Sequence, residues 1–64
     1  MNLTDQQVRL GAAMMLLRRY GDRAPLVLAN RIGELALEGD EVGIALWQNI
    51  ARHMDDILRA GRIQ

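Results

Sequence analysis

The sequence predicts an all-α fold, a small three-helix domain assembling into a helical dimer, and three observations predict it. Glycine punctuates the chain at Gly21, Gly39 and Gly61, and the first two are followed at once by residues able to cap a new helix, Asp22 and Asp40. Between these marks the apolar residues recur at helical spacing, with no strand alternation, internal repeat or low-complexity linker. The first helix is apolar on two opposite faces, which is more than a peripheral helix of a lone domain needs.

The first helix is expected over about residues 5–20. Thr4 precedes Asp5, Gln6 and Gln7, a pattern in which the hydroxyl caps the open amides and Gln7 reaches back to the capping residue. Leu10, Ala13, Met14 and Leu17 make one stripe, and Val8, Ala12, Met15 and Leu16 make another roughly across from it. Two faces imply a helix lying between layers. Three short helices offer little material to surround one of their number, so the second face, Val8, Ala12, Met15 and Leu16, is the expected interface with a partner chain.

The second helix is expected over about residues 23–38, with Gly21 as a left-handed stop, Asp22 as cap and Pro25 tolerated in the first turn, where amides lack helical partners. Leu28, Ile32, Leu35 and Ala36 form its main stripe; Leu26, Gly33 and Leu37 add a smaller apolar edge. Gly39 and Asp40 repeat the stop and cap, and the third helix follows over about residues 41–60, ended by Gly61. Its residues Leu46, Trp47, Ile50, Met54, Ile57 and Leu58 fall within about 120° of a helical wheel, opposite Gln48, Arg52, Asp55, Asp56 and Arg59. Trp47 is therefore read as a core anchor and Tyr20 as packing at the end of the first helix.

Length and composition bound the function. At 64 residues the chain is one domain, spanning 1–64. A chain of this size buries only roughly 60% of its unfolded surface and usually needs disulfides, a metal or oligomerisation as reinforcement. With no cysteine and one histidine, disulfides and a structural zinc site are excluded, which leaves association with another chain. The same absence of cysteine fits a reducing compartment. No basic-then-apolar leader is visible, and the longest uncharged apolar run, Leu10 to Leu17, is far short of the roughly 20 residues that span a bilayer. The expected location is the cytoplasm, away from membranes.

Eight acidic and eight basic residues cancel, which argues against a general nucleic-acid or membrane-surface binder, and all eight basic residues are arginine. Their distribution is uneven: residues 1–31 carry five arginines against two aspartates, and residues 32–64 carry three arginines against six acids. Arg18, Arg19 and Arg23 are thus candidate contacts for an acidic partner or for the acidic turn Glu38 to Glu41 of a second copy. Arginine at a helix end also complements the helix dipole, which is the competing explanation. Specific duplex DNA binding is not expected. Asp40 and Glu41 would repel phosphates at the start of the third helix, and Pro25, Leu26 and Val27 lack side-chain donors for base edges at the start of the second.

Chemistry is sparse. The chain has no serine or cysteine nucleophile, and Thr4 is accounted for as a cap. Asp55 and Asp56 are adjacent on a helix, hence about 100° apart, and cannot cooperate as a carboxylate pair. Arg31, Glu34 and Glu38 read as a solvated ion-pair face. His53 borders the apolar stripe with Asn49 and Asp56 within a turn; a pH-sensing or ligand role yields to the simpler reading of a boundary histidine satisfied by a neighbouring carboxylate. No glycine-rich phosphate loop is present. No catalytic residue, cofactor or metal is therefore expected. The leading function is a non-enzymatic, self-associating interaction module. The alternative is a small regulator, of host or mobile-element origin, that binds a macromolecular target through the arginine-rich first turn.

The run Gly21-Asp22-Arg23-Ala24-Pro25, then Asn30-Arg31-Ile32-Gly33, Leu35-Ala36-Leu37, Gly39-Asp40, Gly43, Trp47 and Ile50-Ala51 resembles a group of short alphaproteobacterial proteins classed as a domain of unknown function. The resemblance covers about residues 7–58. It implies a self-contained bacterial domain and no catalytic residue.

Overall fold

The computed structural model describes residues 3–62. Three α-helices, α1 (Asp5–Tyr20), α2 (Ala24–Glu38) and α3 (Glu41–Arg62), are joined by a 3-10 turn at Gly21–Arg23 and by a two-residue turn at Gly39 and Asp40. No strand occurs among the described residues. The all-α reading holds, with α2 starting one residue later and α3 ending two residues later than expected.

The caps explain most of these limits. The Thr4 N–H donates to Gln7 Oε1 at 2.8 Å and the Gln7 N–H donates to Thr4 Oγ1 at 3.1 Å, so the reciprocal cap of α1 is formed. Gly39, at φ +73° and ψ +22°, is left-handed. Its N–H donates to the Ala36 carbonyl at 3.1 Å and the Asp40 N–H to the Leu35 carbonyl at 3.0 Å, the paired closure of a Schellman motif. Asp40 then caps α3, accepting the Gly43 N–H on Oδ1 at 2.8 Å.

Two expectations fail at the other glycines. Asp22 does not cap α2: Gly21 adopts φ +57° and ψ −129°, outside the left-handed helical well, and the chain passes through a 3-10 turn that places Asp22 inside the turn rather than at the helix mouth. Arg23 stands at the cap position without a side-chain bond, while Pro25 does occupy the first turn. Gly61 does not end α3, which runs on to Arg62; a glycine stops a helix only where the chain turns back to satisfy the open carbonyls, as it does at Gly39.

The core contains Ala13, Ala24, Leu28, Ile50 and Met54, with Ala12, Leu16, Leu17, Ile32, Trp47, Ala51, Ile57 and Leu58 packed around it. Leu35 is buried separately, beneath Gly43. Ala13 and Ala24 are fully enclosed. Trp47 is half-buried against the core, as a partial anchor, and Leu46 stands exposed at the edge of its stripe.

The middle position belongs to α3 rather than to α1. α3 packs against both other helices, whereas α1 and α2 touch little. α3 presents a broad apolar stripe, Trp47, Ile50, Met54, Ile57 and Leu58, that serves two neighbours. The molecule is accordingly open, with a radius of gyration of 12.3 Å against about 10.7 Å for a typical domain of this length.

Candidate interaction surface

The direction in which α1 faces α3 bisects its two apolar stripes. Ala13 and Leu17 come from one stripe and Ala12 and Leu16 from the other, and these four line the intramolecular contact. The proposed face Val8, Ala12, Met15 and Leu16 is therefore divided. Ala12 and Leu16 are committed to the core, while Val8 and Met15 remain 53% and 64% exposed. Spacing alone could not reveal this, because two stripes flanking a buried seam look the same on a wheel as two independent faces. On the opposite flank Leu10 and Met14 are also exposed, so α1 shows apolar side chains to either side of its seam.

Arg18, Arg19 and Arg23 are exposed around the end of α1, and the Arg19 guanidinium lies 5.5 Å from the Tyr20 ring centroid. The ion pairs among the described residues lie elsewhere, Arg31 to Glu34 at 3.5 Å on α2 and Arg59 to Asp55 at 2.9 Å on α3. Glu38, Asp40 and Glu41 are exposed at the α2–α3 turn.

Two grooves run along the α1–α3 seam and share Arg9 and Asn49. The larger, about 550 Å³, is lined by Arg9, Glu41, Val42, Ala45, Leu46 and Asn49; its floor is apolar and its rim carries one charge of each sign. The smaller, about 320 Å³, is polar, lined by Gln6, Arg9, Asn49, Arg52, His53 and Asp56. Asp56 lies three and four residues beyond His53 and Arg52, so α3 partly balances the charge in this groove itself. Within the described residues His53 makes no ion pair or hydrogen bond with Asp56; it is half-buried at the helix border, beside the carboxylate rather than bonded to it. No three histidine, aspartate or glutamate side chains among the described residues converge as metal ligands. Among the described residues no helix is long and apolar enough to cross a membrane.

The apolar groove was not anticipated. Its signal in the sequence is Val42, an apolar residue in the first turn of α3 that belongs to no core stripe and is 83% exposed.

A helical hairpin of α2 and α3 with α1 packed on α3, bearing exposed apolar side chains along α1, defines a small all-α domain. The model of a family of unknown function (DUF6961) matches residues 5–61, and the chain belongs to that family. No curated protein and no solved structure matches the chain.

Proposed function

We propose that this protein is a non-enzymatic protein–protein interaction module that pairs with itself through α1. The observation that carries this reading is the amount of apolar surface that α1 leaves in water on both flanks of its buried seam, at Val8, Leu10, Met14 and Met15. The area agrees with it. The chain exposes 5234 Å², about 1,100 Å² more than a monomeric protein of 7.2 kDa usually does. That surplus is comparable to the roughly 800 Å² each partner contributes to a standard interface. A two-fold dimer covers such a surface twice with one sequence. The absence of serine and cysteine nucleophiles supports a binding role over a catalytic one, and the reading places the protein in the cytoplasm.

Sedimentation across the micromolar range tests this. A dimer is expected; a monomer at every concentration with a cooperative thermal transition refutes it. The second reading is a regulator that grips an acidic macromolecular target through Arg18, Arg19 and Arg23, favoured by their exposure and by their having no ion-pair partner among the described residues. Salt-sensitive binding of a monomer to such a target would select it.

A further inference from the structure

We propose that the groove between α1 and the start of α3 receives the Met14–Met15 edge of α1 from a second copy of this chain, an inference that rests on self-association. Val42, Ala45 and Leu46 give this open groove, of about 550 Å³, an apolar and solvent-exposed side. Met14 and Met15 are exposed on α1 about 100° apart, one on each flank of the buried seam, so together they border the outward side of the helix, and unbranched thioether side chains adapt to irregular apolar surfaces. Gly11, one turn before them, has open space around its Cα, so the outward edge of the helix is low there.

The charges fix the orientation. Arg18 follows Met14 by four residues and Arg19 follows Met15 by four, so each methionine shares its helix face with an arginine. The groove carries Arg9 on its α1 wall and Glu41 beside Val42, with Glu38 and Asp40 just across the turn, so its acidic end is the one at the turn. Seating methionines on the floor therefore brings arginines towards the acidic turn. Two-fold symmetry repeats the contact, setting each basic half of the chain against the acidic half of its partner.

Val42 gives the cleanest test. With Asp40 as cap, it is the second residue of α3, where a carboxylate favours the helix through its dipole. Val42→Asp should thus keep the fold while placing a charge in the docked contact. In sedimentation and circular dichroism together, Val42→Asp and Met15→Glu are each expected to weaken association at least about tenfold without loss of helix. Leu37→Lys, at a position 92% exposed on the outer side of α2, should leave it unchanged. Arg18→Glu with Arg19→Glu should weaken pairing, as should Glu38→Arg with Glu41→Arg, and combining the four changes should recover most of the affinity. A wild-type dimer indifferent to Val42→Asp overturns the groove while leaving self-association standing. Failure of the combined charge exchange to recover affinity overturns the proposed orientation. A wild-type monomer overturns both this inference and the reading beneath it.

Discussion

Replacing Gly43 by alanine isolates the physics of the α2–α3 turn. In the interior of an exposed helix the change would stabilise by about 0.5–1 kcal/mol, because alanine loses less backbone entropy than glycine. At Gly43 the new methyl would lie 2.5 Å from Asp40 Oδ2, 2.8 Å from Asp40 Cγ and 3.1 Å from Leu35 Cδ2. Asp40 cannot retreat freely, since the same carboxylate accepts the Gly43 N–H at 2.8 Å, and a forfeited cap costs about 1 kcal/mol. Leu35 is buried and must shift as well, for which overpacking costs about 1–3 kcal/mol. The terms sum to a net loss of about 1–3.5 kcal/mol, or roughly 4–28 °C in Tm for a domain of this size.

The control is Gly33→Ala, where nothing lies within 4 Å of the new methyl and the helix continues on both sides; it should gain about 0.5–1 kcal/mol. Urea and thermal unfolding at fixed protein concentration give both values. A double-mutant cycle with Asp40→Ala completes the argument: once the carboxylate is removed, Gly43→Ala should cost at least about 0.5 kcal/mol less than in the wild type. Equal gains from Gly43→Ala and Gly33→Ala would refute the account of the turn.

Gly21→Ala should destabilise by about 1–3 kcal/mol, since φ +57° with ψ −129° is a conformation that a side chain strains, and chemical denaturation reads the loss directly. Met54→Ala, which truncates a side chain buried to 2% exposure beside Ile50 and Leu28, should cost about 2–5 kcal/mol in the same measurement. Arg59→Ala breaks the 2.9 Å pair with Asp55, but both side chains are more than half exposed, so the change in stability should stay below about 0.5 kcal/mol and vanish in high salt.

How far the sequence discloses this molecule depends on how local the determining interaction is. The caps at Thr4 and at Gly39–Asp40 are legible because each is complete within a few residues. The broad stripe of α3 is legible because one helix face gathers Trp47, Ile50, Met54, Ile57 and Leu58. What the sequence conceals is the choice of partner for each face. Ala12 and Leu16 look like an outer surface until the helix is docked, and only docking shows that the seam runs between the two stripes. Asp22 has the right type and place for a cap, yet the preceding glycine turns the chain through a 3-10 path that withdraws it. The groove over Val42 exists only where two helices meet, so no periodicity within either one announces it.

The central place of α3 divides the molecule's cooperativity. α2 meets α3 across a two-residue turn, with Leu35 reaching over Gly43 and Leu28 and Ile32 sharing a groove with Ala51 and Met54. These contacts join elements adjacent in the chain, although Ala13 of α1 completes the core they share. α1 depends on α3 for contacts that span most of the chain, and it has little hold on α2. Its amides therefore belong to the set that opens first, leaving the hairpin folded behind it, and hydrogen exchange in α1 should run ahead of that in α2 and α3. The helix that carries the exposed methionines is thus also the one whose docking closes the longest stretch of chain, and covering those methionines would reinforce that closure.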